Sequence, residues 1–205
     1  MLGDGQQKFI RELNSKFEKL SRRTANLESW EGSLSTALNY KHLSVFPVAV
    51  KLGASAPTDA LRAVGTSGGV LIDVLQFSNV VQNDTYFYVE IPSDMDTGLP
   101  IQFYAHWLPG AAWTAGNYVY RIEYLLHSPG DDSAVGVPGI VSFDVTPTSA
   151  SISIETAFDA GIVMGDKDMI FAHLYRDVAA DNGDSTGDVI DLRMRYVSNK
   201  LGLAV

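Results

Sequence analysis

The chain has 205 residues, 46% hydrophobic and only 19% charged, which is enough apolar material for one packed domain plus an appendage and too much for a disordered chain. A formal net charge of −9 opposes phosphate backbones and anionic lipid, so neither nucleic acid nor a membrane is expected as a partner. With no cysteine, disulfides, thiolate metal sites and thiol catalysis are excluded.

The opening residues, MLGDGQQKF, lack the apolar stretch of a secretory leader, and export by that route is not expected. No apolar run reaches the ~18 residues that cross a bilayer as a helix. Ile10, Leu13, Phe17, Leu20, Thr24 and Leu27 then recur at spacings of 3, 4, 3, 4 and 3, the a/d seam of a left-handed coiled coil. Asp4 can cap the start, and Gly32 can end it. Two readings stand: a self-associating stem over residues 1–32, or one amphipathic helix packed on its own β domain. The seam has no extra apolar row, which favours the coiled coil, with three parallel stems as the expected assembly. Lys8, Arg11, Lys16, Lys19, Arg22 and Arg23 all fall here, as a solvated face or a dock for an acidic partner.

Residues 33–68 read as an arm or linker with one strand, Ser44 to Lys51, in which Pro47 implies an edge position or a kink. From Gly69 the period becomes two. Thr85, Phe87, Val89 and Ile91 alternate with Tyr86, Tyr88 and Glu90. Leu99, Ile101, Phe103, Ala105 and Trp107 alternate with Gln102, Tyr104 and His106. Tyr118, Tyr120, Ile122 and Tyr124 oppose Val119, Arg121 and Glu123, and Ile190, Leu192, Met194 and Tyr196 oppose Asp191, Arg193 and Arg195. Such strands keep one face in a core and one in solvent. Further strands are expected at 70–77, 139–145, 151–156 and 169–176, separated by Pro/Gly/Asp turns. Eight or nine strands without helical periodicity between them give a mainly β fold: an antiparallel, jelly-roll-like β-sandwich over residues 69–205.

The stretch Asp84 to Pro92, its acidic turn, the strand ending in Trp107, the strand Gly116 to Tyr124, and the segment from Met169 through the acidic loop to Tyr196 together resemble bacteriophage virion appendage proteins: head decorations, head fibres and neck or tail fibres. That resemblance covers about residues 84 to 197. It implies a trimeric structural protein of the virion, made in the host cytoplasm, with capsid, portal, neck or tail proteins as partners and no catalytic residues. The alternative on the same architecture is a receptor- or glycan-binding module, with a host surface glycan as partner.

Candidate chemistry is sparse. His42, His106, His127 and His173 form no close pair, so metal-ligand spacing is absent, although His106 and His173 lie in strands that could bring them together. Asp177, Asp181, Asp184 and Asp188 offer oxygens for calcium, but their spacing is not that of an EF-hand, and turn chemistry accounts for the loop. No nucleophile elbow or phosphate loop is present. Catalytic, metal and cofactor residues are therefore not expected. Tyr86, Tyr88 and Tyr104 sit opposite the strongest apolar rows and are expected as one exposed aromatic stripe across paired strands, a face for a sugar or a neighbouring subunit.

Overall fold

The structure is a computed structural model and describes residues 40–45, 55–64, 70–132, 137–151 and 153–198. The expected stem, with Ile10, Leu13, Phe17, Leu20, Thr24 and Leu27, lies outside the described residues. Residues from Tyr40 onward belong to one compact unit. Its elements are β1 (Tyr40–Val45), β2 (Thr58–Val64), β3 (Val70–Phe77), β4 (Asp84–Glu90), β5 (Gln102–Pro109), β6 (Tyr118–His127), β7 (Gly139–Val145), β8 (Ile154–Ala157), β9 (Met169–Arg176) and β10 (Gly187–Val197). No helix occurs among the described residues.

Two antiparallel sheets form. One runs β2-β3-β10-β5-β8, with β1 also paired to β10; the other runs β4-β9-β6-β7. The eight strands from β3 to β10 thus give the orders 3-10-5-8 and 4-9-6-7, the winding of a jelly roll. The core lies between the sheets. Phe103, Ala105 and Trp107 from β5 meet Phe87 of β4, Tyr118 and Tyr120 of β6 and Phe143 of β7. Trp107 packs on three of these rings and spends its only polar atom on Thr156 Oγ1, 3.1 Å away. Gly187 lets the Tyr120 ring approach the β10 backbone, since a Cβ there would stand 2.0 Å from the phenol oxygen.

Three sequence expectations are corrected. First, the described residues of the 33–68 segment hold two strands rather than one. The first is Tyr40–Val45, starting four residues before the expected Ser44; residues 46–51 lie outside the described residues. The second, β2, is rich in alanine and weak in β-propensity. It exists because it pairs with β3 along its whole length, from Thr58↔Gln76 to Val64↔Val70. Second, the last strand does not keep one parity. A bulge between Val189 and Asp191 turns Val189 inward before it and Leu192, Met194 and Tyr196 inward after it, so Ile190 is left half-exposed. Third, β5 runs Gln102–Pro109 rather than starting at Leu99, with Ile101 held only by an isolated bridge to Ile162.

Candidate functional site

The expected tyrosine stripe is divided. Tyr86 and Tyr88 lie on the outer face of the four-stranded sheet, whereas Tyr104 lies on the outer face of the six-stranded sheet. The cause is topological: consecutive strands β4 and β5 enter different sheets, so sequence neighbours with the same alternation look in opposite directions. His106 and His173 are separated for the same reason, on β5 and β9.

The acidic loop does not converge on an ion. Asp177 pairs with Arg121 at 2.7 Å and Asp181 with Arg176 at 2.6 Å. Asp184 accepts from the Thr114 and Ala115 amides, and Asp188 pairs with Arg62 at 2.6 Å and Gln76 at 3.0 Å. Each carboxylate holds a different segment. No cluster of metal-ligating side chains occurs among the described residues.

What the structure does assemble is a patch on the outer face of the four-stranded sheet. Register places Tyr86, His173, Glu123 and Ile140 in one row across β4, β9, β6 and β7. The next row joins Tyr88, Phe171 and Leu125. His173 is the centre. Its ring stacks on Tyr86 (5.2 Å between centroids, 9° between planes) and on Tyr175 (5.0 Å, 29°). Its Nε2 hydrogen-bonds Glu123 Oε2 at 2.9 Å, while Nδ1 stands 3.6 Å from Asp84. Burial, and then the charges of Asp84 and Glu123, push the Tyr86 phenol above the usual tyrosine range, so it stays a hydrogen-bond donor in mildly alkaline solution. Burial likewise raises Tyr175.

Around this polar centre the aromatic surface is open: Tyr88 is 58% exposed and Phe171 41%. A shallow hollow of ≈270 Å³ lies over Tyr86, Glu123, Leu125, Pro138, Phe171 and His173. A larger hollow of ≈480 Å³ opens on the six-stranded sheet, where β3 leaves β10 after Val189 and β1 joins it at Leu192. Among the described residues no ring lines it, and its Asp191 is committed to Ser44 and Arg193.

No protein family model matches the chain, and no curated protein does. Solved structures that align with it include TmCBM61 in complex with β-1,4-galactotriose, at 10% identity over 78% of this chain and 88% of that one, with a TM-score of 0.34. TmCBM27, a carbohydrate-binding module with specific mannan recognition, aligns at 9% identity over 78% and 90%, TM-score 0.34. A family 11 carbohydrate-binding module from Clostridium thermocellum, with a β-1,3-1,4-mixed-linked tetrasaccharide, aligns at 12% over 77% and 89%, TM-score 0.32. These superpositions are loose, and the ligands belong to those proteins.

Phe171, His173, Tyr175 and Glu123 were not among the expected site residues. A signal for three of them was available: in Met169–Arg176 the residues alternating with Ile170, Ala172 and Leu174 are Phe171, His173 and Tyr175. Their meeting with Tyr86 and Glu123 depends on β9 lying between β4 and β6, which local pattern does not reveal.

Proposed function

We propose that this chain is a non-catalytic glycan-binding module that takes a neutral oligosaccharide on the outer face of its four-stranded sheet. The observation that carries this is the joining of open rings, Tyr88 and Phe171, to the fixed Tyr86–His173–Glu123 group. Sugar rings stack their C–H faces on aromatic surfaces, and their hydroxyls need donors and acceptors held in place beside them. Glu123 and Asp84 accept, and Tyr86 donates. The carboxylates of Asp84, Glu90, Glu123 and Asp144 on this side of the sheet oppose acidic sugars and favour neutral ones.

The virion reading supplies a setting for such a module. The heptad seam at residues 10–27 supports a trimeric stem, and three copies of a weak sugar face on one appendage would bind with avidity. The test is a glycan array followed by calorimetric titration with the best neutral oligosaccharide. Tyr88→Ala and Phe171→Ala should each weaken binding about three- to tenfold, the range measured for single aromatic contacts. Absence of any neutral glycan on the array, or unchanged affinity in both variants, would remove the proposal.

A further inference from the structure

The described chain carries seven lysines and arginines, and six have a carboxylate partner: Lys41 with Asp94, Arg62 with Asp188, Arg121 with Asp177, Lys167 with Asp131, Arg176 with Asp181, and Arg193 with Asp191 and Glu155. Arg195 of β10 has none among the described residues. In an acidic protein this is the exception that asks for a physical cause.

Arg195 is half-buried on the outer face of the six-stranded sheet, between His42 on β1 and Gln102 on β5 in register. Its guanidinium stands over two phenol rings, 4.7 Å from the centroid of Tyr40 and 4.8 Å from that of Tyr104. Gln102 fixes it. The Gln102 Oε1 accepts from Arg195 Nη2 at 2.9 Å and from the Tyr104 hydroxyl at 2.9 Å, while Gln102 Nε2 donates to the Phe158 carbonyl at 3.1 Å. A guanidinium has five N–H donors; Gln102 engages one. The cation is thus held in one orientation by rings and an amide, with its remaining donors uncommitted among the described residues. Tyr40, 48% exposed, and His42, also exposed, border it.

We propose that this face is a second binding site, chemically opposite to the first, which takes a glycan bearing a single carboxylate, a uronic acid residue, with the carboxylate on Arg195 and the sugar ring against Tyr40 or Tyr104. The guanidinium fork matches a carboxylate in two parallel hydrogen bonds. The phenol rings supply the stacking surface that a bare carboxylate would not need. The overall charge of −9 selects against densely charged polyanions and leaves an isolated acid as the class that fits.

The experiment is an NMR titration of the full chain with cellobiouronate, and with cellobiose as the control that lacks only the carboxylate. Cellobiouronate should shift the Arg195 Nε–H and the Tyr40 and Tyr104 ring signals and bind about tenfold tighter than cellobiose, the size of one charge-assisted contact. Arg195→Gln should erase that preference with unchanged far-UV circular dichroism, and Arg195→Lys should restore it in part. Tyr88→Ala on the other sheet should leave it intact, so failure of the first site and failure of this one are separable. Equal binding of the two sugars, or an unchanged preference in Arg195→Gln, overturns the proposal. So does acetate shifting the Arg195 signal as strongly at equal concentration, which would mark an adventitious ion only. Tighter binding of tetraglutamate would assign the face to a protein carboxylate instead and overturn it equally.

Discussion

Arg176, the last residue of β9, and Arg195, two residues before the end of β10, belong to different sheets of the sandwich, and they show two uses of one side chain. Arg176 is inaccessible. It makes a two-pronged pair with Asp181, 2.6 Å on each side, donates to the Gly183 carbonyl at 3.1 Å and to the Ser185 carbonyl, and stands 4.3 Å over the Tyr118 ring. Asp181 in turn accepts from the Val119 and Gly183 amides. Every group has its partner, so the acidic loop reads as a clamp that locks β9 to β6. Arg195 has rings and one amide but no counter-charge among the described residues. Saturation marks a cation that holds the fold, and an unmatched cation at the surface marks one that is available.

The contrast breaks if the two arginines contribute alike to stability. Arg176→Met should cost about 3–5 kcal/mol in urea denaturation, because it strands Asp181 as an unpaired buried charge. Arg195→Gln gives up cation–π contacts and one hydrogen bond to Gln102 at a partly exposed site and should cost about 1–2 kcal/mol. A loss in Arg195→Gln as large as that in Arg176→Met would make Arg195 a structural cation and remove the reason to expect a ligand there.

A smaller effect sharpens the comparison through pH. β1 carries Tyr40 and His42 to the Arg195 face, and it is tied down by Lys41, which pairs with Asp94 in the β4–β5 connection. Ser198 Oγ also donates to Asp94, at 2.8 Å. The Lys41 and Ser198 hydrogen bonds lower the Asp94 carboxyl to about 2, from 3.8. A depressed carboxyl binds fewer protons folded than unfolded, so its contribution is complete above about 4 and is lost as pH falls toward about 2. The melting temperature of the wild type should therefore fall more steeply across that window than that of Asp94→Asn. Parallel acid limbs would show that Asp94 does not hold β1.

The fold was legible where a strand carries its own period. Phe103, Ala105 and Trp107, or Phe87 and Val89, announce the inward face from sequence alone, and all are buried. It was illegible where a strand is made by its partner. β2 has little β-propensity and no alternation of large residues, and its ladder to β3 and the Arg62–Asp188 pair hold it in the sheet. The site was legible residue by residue and not as a place. Tyr86 and Tyr88 were visible as outward tyrosines, but grouping them with Tyr104 required that β4 and β5 share a sheet, and a jelly roll puts them in different ones. The same winding brings His173 and Glu123 to Tyr86 from 87 and 37 residues away in sequence (173 − 86 and 123 − 86).

The smallest expected effect on stability is the one that tests whether the four-stranded sheet's outer face is free for a ligand. Tyr88 is 58% exposed, in the middle of a strand whose adjacent residues Phe87 and Val89 are core. An open ring exchanges little water-accessible surface on folding, so Tyr88→Ala should change unfolding free energy by no more than about 0.5 kcal/mol. Phe87→Ala, one residue away, removes a ring packed edge-on against Phe103 at 5.8 Å and should cost about 3–5 kcal/mol. The pair tests the face because a ring covered by another part of the protein or by a second copy would behave like a core ring. A loss above about 1 kcal/mol in Tyr88→Ala would say that the aromatic surface is already occupied in the native protein. If that loss also grew with protein concentration, the occupant would be another copy of the chain, and the face would be a subunit contact rather than a sugar site.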